Sequence, residues 1–490
     1  MSLSDFLHRR PITGPVERAP RVLDVFCGAG GLSLGFASAG YEIAAGVEMD
    51  SHAADIYRQN IAYFQGRAPI VYGGAERGDM TRLQPEAVLS EVGPCDVLVG
   101  GPPCKAFSRV GRGKLNSLSE EGFRGDARNR LYSNFIHFLE VFSPKVFVME
   151  NVPGMLHMEG RNVAEVAARA LGEPSAPGRP GYVVRYAVLD AAWYGVPQRR
   201  QRVIFVGVRE DLGVEPTMPA RLAECAWEDG YIDWPEEQLQ TELFGGALRK
   251  DHKVPVPRAT HDDAVSVREA LGDLPELTGH LTDRPAAKDW SERLDYGPVE
   301  PVCDFAELMR TWDGPTSTRE RGVRAHFIRH TPRDFETFRR MKHGDTYSMA
   351  HAIATRRLDE HLDGLVEAGE VDDREDARVE LEPEFVPPYP LGQGFEDRWK
   401  KMEPDRPSRT VTAHLSHDTY SHIHYDSAQA RAVSVREAAR LQSFPDRFVF
   451  GPDGGLKSAF AQIGNAVPPL LARAIALHLT ELLGEKLRSS

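Results

Sequence analysis

From Arg21 to Met149 short apolar runs alternate with glycine-bearing turns and stretches of helical periodicity, a rhythm that calls for a sheet covered by helices. The first run, Arg21-Val-Leu-Asp-Val-Phe26, stops at Cys27-Gly-Ala-Gly-Gly-Leu32, and a helical pattern follows through Leu34, Phe36 and Ala37. Strand, glycine turn and helix start, in that order, let backbone N–H groups come close to a ligand. The spacing is G-x-G-G and not the full G-x-G-x-x-G, so alone it fits a dinucleotide turn or merely a tight turn. A second run, Tyr41 to Val47, ends in Glu48-Met49-Asp50. An acid about 20 residues beyond a glycine turn can accept hydrogen bonds from ribose hydroxyls. Asp79 follows Gly78 and precedes Met80, and two further runs cover Asp96 to Gly100 and Lys145 to Met149. The expected fold is α/β, a doubly wound parallel sheet with ligands at the carboxyl ends of its strands.

Reactive side chains stand at those ends. After Gly100 comes Gly101-Pro-Pro-Cys104-Lys-Ala-Phe-Ser108, and after Met149 comes Glu150-Asn151-Val152-Pro153-Gly154. Two prolines with fixed φ aim a following thiol, although a solitary cysteine is more often a small buried hydrophobe than a nucleophile. A single Glu at a strand end is, by the same weighing, usually a cap or an ion-pair partner. Tyr194-Gly-Val-Pro-Gln198-Arg199-Arg200-Gln201-Arg202 leads into another strand, Val203 to Val208. Alternation puts Arg200 and Arg202 on one face, where guanidinium groups would lower a thiol pKa or hold an anion.

The net charge of −13 argues at first against a polyanionic partner. Its distribution does not. Residues 359–384 hold twelve carboxylates against two arginines, a net of −10. Lys105 to Arg130 is net +4, Arg199 to Arg209 carries four arginines and no acid, and Arg319 to Lys342 is net +5. Any one such run reads most simply as a solvated face. Screening beyond about 8–10 Å nevertheless means that a phosphate backbone responds to local stripes and not to the sum. Five cysteines without a C-x-x-C pair make neither a disulfide framework nor a zinc site. With no secretory pattern at Met1 and no apolar run near the ~20 residues that span a bilayer, a reduced, soluble, cytoplasmic protein is expected.

The blocks DVFCGAGG, GVEMD, GDMT, GGPPCKAFS, ENVPGM, YGVPQRRQRVIFVG, RPSRTVTA, SVREAARLQSFPD and QIGNAVPP, in this order from residue 21 to 469, resemble the DNA cytosine-5 methyltransferase family. The resemblance implies a Rossmann-like domain dependent on S-adenosylmethionine, with a smaller target-recognition domain inserted late. The implied division is a catalytic domain over 1–212, a target-recognition domain over 213–424 and a returning C-terminal segment over 425–490. Carried over by position, Cys104 resembles the nucleophile, Glu150 its partner at the pyrimidine, and Arg202 the residue that holds the cytosine carbonyl oxygen. Arg200 resembles the one that supports the thiolate loop or a phosphate. Phe26, Gly28, Gly30, Gly31 and Leu32 resemble the turn at the methionine end of the cofactor. Glu48 resembles the ribose ligand, Met49 the group packed on adenine, Asp79 and Met80 the adenine readers, and Asn465 and Val467 the closing contacts.

The chemistry this implies explains the residue types. Cytosine C5 is a poor nucleophile until a thiolate adds to C6, an addition eased by hydrogen bonding or proton donation at N3. The resulting enamine carbon takes the methyl group, and a base then removes the C5 proton as the thiolate leaves. Inside a duplex the target atom is out of reach, so the base must be flipped out. One departure stands beside the nucleophile: Lys105 occupies a position where the family usually has glutamine, which puts rate and loop geometry in question.

Between Val208 and Pro404 periodicity weakens and prolines are frequent, and this stretch resembles the target-recognition domain by position. Val265 to Pro275 reads as a capped helix stopped by proline. Lys105, Ser108 and Arg109 near the nucleophile, with Arg324, Arg329 and Arg333 in the basic stretch, are the candidate DNA contacts. The acidic run 359–384 reads as a helix-plus-loop excursion away from DNA, or else as a phosphate mimic in the basic cleft. The implied partners are double-stranded DNA and cognate restriction or defence proteins, with no membrane, and the implied state is a monomer. Two other functions stay open on the residues alone: an RNA cytosine-5 methyltransferase with the same core, and a catalytically silent DNA-binding protein. A nicotinamide dehydrogenase would leave the thiol loop and QRRQR without a role.

Overall fold

A computed structural model describes residues 1–9, 18–103, 130–157, 162–173, 179–224, 252–258, 263–282, 290–297, 300–312, 321–371, 373–392 and 398–488. Cys104, Lys105, Ser108 and Arg109 lie outside the described residues.

Seven strands make the main sheet: β1 (Arg21–Val25), β2 (Glu42–Glu48), β3 (Ile70–Gly73), β4 (Val97–Gly100), β5 (Val146–Asn151), β6 (Tyr182–Asp190) and β7 (Gln201–Arg209). Their order is β3-β2-β1-β4-β5-β7-β6. The first five pair in parallel, and the order turns back between β1 and β4, the switch point at which such sheets open a crevice at the strands' carboxyl ends. Seven strands in this order make the expected α/β sheet, with one addition. β7 runs antiparallel to both neighbours, pairing Glu150 with Ile204 and Asp190 with Gln201. Its reversal brings the first residues of β7 to the carboxyl end of β5.

Buried Val22, Leu23, Val25, Val97, Leu98, Val99, Val146, Phe147 and Val148 fill the sheet centre. Runs of this kind, apolar on both faces, are what a parallel sheet covered on both sides requires. The helix Gly31–Ser38 lies against the C-terminal helix Pro469–Leu483 so closely that a Cβ on Gly35 would stand 2.4 Å from that of Ala472. The stretch Gly455–Leu483 has the length and apolarity of a membrane span, but it consists of two helices broken at Ala466–Pro468 and is mostly buried.

The described residues between 263 and 327, expected in the inserted domain, join the core of the sheet domain through Val265, Val267, Ala270, Leu271, Phe305, Leu308, Met309, Val323 and Phe327. The helix expected at Val265–Pro275 is Val267–Leu271, closed at its start by a reciprocal Ser266–Glu269 capping box. A buried charge network ties this segment to the helix Val435–Leu441: Arg440 bonds Asp273 and, at 2.6 Å, Asp446, while Arg310 reaches Asp273 at 2.8 Å and Tyr296 donates to Asp446. A second, smaller cluster gathers Phe335, Phe338, Met341, Tyr347 and Trp399. The acidic run forms a hairpin of the helices Tyr347–Glu367 and Arg374–Phe385, with its own small core of Ala354, Leu358, Leu362 and Val386. Arg374 and Arg378 fold back onto Asp359.

Candidate active site

The cofactor-side residues converge where β1 and β2 end. The chain leaves β1 through Phe26 at φ +61°, Gly28 at +54° and Gly30 at +99°, three left-handed residues in a turn of five. Such a conformation is costly for Phe and easy for Gly. It exposes the Gly28 N–H, which donates to Oε2 of Glu48 at 2.9 Å. The other oxygen of Glu48 accepts from Asp50 N–H at 2.8 Å. Burial raises the Glu48 pKa, with these two N–H donors working the other way. Met49 beside it is 60% exposed, so its side chain faces open space at the strand end.

Gly78 sits so close to β2 that a Cβ there would lie 2.0 Å from the Glu48 carbonyl oxygen, which draws the next residues against the site. Asp79 Oδ1 accepts from Thr81 N–H at 2.9 Å and Thr81 Oγ1 at 2.8 Å, and these bonds hold its pKa below the usual carboxylate value. Met80 is buried, and its carbonyl accepts from Asn134 Nδ2 at 2.7 Å. From the far end of the chain, Val467 crosses the start of the helix Gly31–Ser38. A Cβ on Gly31 would stand 2.1 Å from the Val467 carbonyl oxygen. Leu32 is buried beneath this crossing, and Asn465 is exposed beside it. The eleven expected cofactor-side residues therefore fall in four segments, 26–32, 48–49, 79–80 and 465–467, gathered where β1 and β2 end.

The second half of the site is at the end of β5. Because Glu150 pairs with Ile204, period-two alternation places Arg202 on the same face, one step nearer the strand's carboxyl end. Arg202 Nε meets Glu150 Oε1 at 2.6 Å, with both side chains 14% exposed. Gly101 leaves the other oxygen room, since a Cβ there would come within 3.0 Å of Glu150 Oε2. The next residue, Asn151, donates from Nδ2 to the Pro102 carbonyl at 3.2 Å and so holds the loop that leads to Cys104. Asn151 was not singled out from the sequence. Its one signal is its place after Glu150 in a strand-end motif.

Arg200 departs from one of its two expected roles, the phosphate contact. It is 1% exposed, and its guanidinium donates to the carbonyls of Val411 at 2.7 Å, Gly464 at 3.0 Å and Ala466 at 2.9 Å. Burial, with Arg202 nearby, lowers its pKa. A side chain so enclosed has no face for a phosphate; it is a staple between strand β7 and the C-terminal segment. The candidate DNA contacts also divide. Arg329 donates to the carbonyls of Leu415 and Ser416, and Arg333 forms a two-bond pair with Asp334. Of the three, only Arg324 is exposed, and its guanidinium has no partner among the described residues.

Residues 20–289 and 324–481 match the C-5 cytosine-specific DNA methylase family. A protein of Oceanobacillus iheyensis named as a type II methyltransferase is 36% identical over 95% of this chain and 96% of its own length. The type II methyltransferase M.AgeI of Thalassovita gelatinovora is 30% identical, covering 93% of this chain and 98% of its own. Among solved structures, a prophage-encoded DNA modification methyltransferase of E. coli shares the fold at a TM-score of 0.60 and 22% identity, over 95% of this chain and all of that one. With a family match across most of its length and relatives aligned nearly end to end, the chain belongs to the C-5 cytosine-specific DNA methylase family and is an enzyme of that class.

Proposed function

We propose that this enzyme methylates C5 of a cytosine flipped out of duplex DNA, through a covalent bond between Cys104 and C6, as the modifying partner in a restriction-modification or defence system. The observation that carries the reading is the Glu150–Arg202 pair at the end of β5, one strand away from the end of β4, after which Gly101, Pro102 and Pro103 precede Cys104 in the sequence. A carboxyl and a guanidinium held side by side match the N3 edge and the carbonyl oxygen of cytosine.

S-adenosylmethionine, when bound, supplies an electrophilic methyl group. The residues present fit it: a glycine turn in which a Cβ on Gly28 would stand in open space, a carboxylate suited to a ribose diol, and an exposed thioether beside it. Phe26, Gly28, Gly30, Gly31 and Leu32 would hold its amino-acid end, Glu48 its ribose, Met49, Asp79 and Met80 its adenine, and Asn465 and Val467 would close over it.

The chain's own residues then do the following. The Cys104 thiolate adds to C6, forming the C–S bond, and the C5=C6 pair moves into the ring toward N3. Glu150 holds a hydrogen bond or proton at N3 and Arg202 fixes the carbonyl oxygen, so charge developing on the ring meets preorganised donors. Once C5 carries the methyl group, a base takes the C5 proton. The C–H pair restores C5=C6, and the C–S bond breaks to return the thiolate. A monomer in the cytoplasm, with duplex DNA as its partner, suits this chemistry.

The test is methyl transfer from labelled S-adenosylmethionine to duplex DNA and, in parallel, to transfer RNA. Incorporation into DNA that disappears with Cys104→Ala supports the reading, whereas incorporation into RNA alone would replace it with an RNA substrate.

A further inference from the structure

Three buried polar side chains outside the two half-sites join strands, turns and helices from four distant parts of the chain. Gln198, fully buried just before β7, accepts at Oε1 from Val411 N–H at 2.9 Å. Only the amide oxygen can take that bond, so its Nε2 must be the donor to Leu441 O and to Gln442 Oε1, each at 2.7 Å. The polarity passes on. Gln442, also fully buried, has its oxygen occupied by Gln198 and donates from Nε2 to Ile463 O at 2.6 Å. Arg200 runs alongside, from Val411 O to the carbonyls of Gly464 and Ala466.

The relay ends on both sides at the proposed chemistry. Arg200 is two residues from Arg202, which contacts Glu150, and Ala466 is one residue from Val467, whose carbonyl presses on Gly31 at the glycine turn. A buried amide chain with every bond directed transmits position well, because reversing any member leaves like groups facing each other. Among the described residues, neither glutamine hydrogen-bonds Glu150, Arg202 or the glycine turn.

We infer that Gln198, Arg200 and Gln442 are positioning residues that set the cofactor-closing segment 463–467 in register with the base-holding strand β7, and thereby align methyl donor with captured cytosine. The inference rests on the function proposed above and adds a division of labour: base capture needs Glu150 and Arg202, whereas alignment needs the relay.

The two can be measured separately. Without cofactor, addition of the thiolate to C6 allows C5 to take a proton from water and lose its own before the thiolate leaves, so tritium at C5 exchanges into solvent. Full-length Gln442→Met and Gln198→Met, which keep side-chain volume and remove the amide, are to be assayed on plasmid DNA labelled with tritium at cytosine C5. Both assays run below each variant's melting midpoint. The expected result is methyl transfer reduced by about 10- to 100-fold, the order expected of misplacement near 1 Å, with cofactor-free exchange within a factor of a few of the unaltered enzyme. Stabilisation against heat by S-adenosylhomocysteine should shrink in parallel. Equal loss of exchange and methylation, or no loss of either, would overturn the inference. Absence of both activities in the unaltered enzyme would instead count against the proposed function.

Discussion

Arg202, at the head of β7, donates from Nε to Oε1 of Glu150, at the tail of β5, over 2.6 Å. A parallel β7 would begin at the opposite edge of the sheet, so this contact depends on the one reversed strand. With Glu150→Gln, the N3 contact loses its acid while the packing stays. Methyl transfer should fall by about 10²- to 10⁴-fold, the usual weight of a positioned general acid or base, with DNA affinity nearly unchanged. Steady-state kinetics beside a binding titration checks this.

Gly31 lies where a side chain has no room, since its Cβ would be 2.1 Å from the Val467 carbonyl. Backbone cannot swing away as a side-chain tip can. Gly31→Ala should therefore displace the closing segment and raise the KM for S-adenosylmethionine by about tenfold or more, consistent with the strain of overpacking. The DNA dissociation constant measured without cofactor should not move.

Arg440 sits between Asp273 and Asp446, all of them fully or nearly fully buried. Burial alone would raise the Asp446 pKa, but the adjoining Arg440 holds it below the usual value. Arg440→Met leaves Asp273 with Arg310 alone and takes the Arg440 charge from Asp446, and should cost about 3–5 kcal/mol in denaturant unfolding, the range for half-broken buried pairs. The sign of the pH effect follows. A depressed folded-state pKa stabilises above the unfolded value near 3.8 and is lost as pH falls through the folded one, so the variant should show a weaker loss of stability on acidification.

Asp24 has the opposite character. It is buried under the glycine turn, where Ser33 Oγ donates to Oδ2 at 2.7 Å while Oδ1 has no partner among the described residues, and burial pushes its pKa up to about 7. The folded state thus keeps a proton that the unfolded chain releases near 3.8, and stability falls as pH rises between those values. Asp24→Asn removes that slope. Its melting temperature relative to the unaltered protein should rise between about pH 5 and pH 8, as thermal scans would show.

What could be read from the sequence was local. The run ending at Cys27, the acid closing β2 and the strand ends at Gly100 and Glu150 follow from alternation and glycine placement, and the five strands expected, β1, β2, β4, β5 and β7, lie within two residues of their expected bounds, whereas β3 and β6 were not read from the sequence. Strand direction was not legible, because alternation reads the same both ways, and so the reversal of β7 was unforeseen. Arg200 and Arg202 look alike in the string, yet one is enclosed by carbonyls from residues 411 to 466 and the other faces Glu150. Gln198 stood inside a recognised motif without a role, since its partner Gln442 is 244 positions away. Likewise Arg329 and Arg333 formed part of a basic stripe in composition, but folding turned them onto Ser416 and Asp334. Charge counts cannot distinguish a phosphate contact from an internal one.

The most direct measurement is base-resolution sequencing of plasmid DNA from cells expressing this enzyme, alongside cells expressing Cys104→Ala. The expected result is 5-methylcytosine at one recurring sequence context, absent with the variant. Unmodified plasmid in cells that accumulate folded protein, or modification that survives Cys104→Ala, would contradict transfer to DNA through a Cys104 adduct.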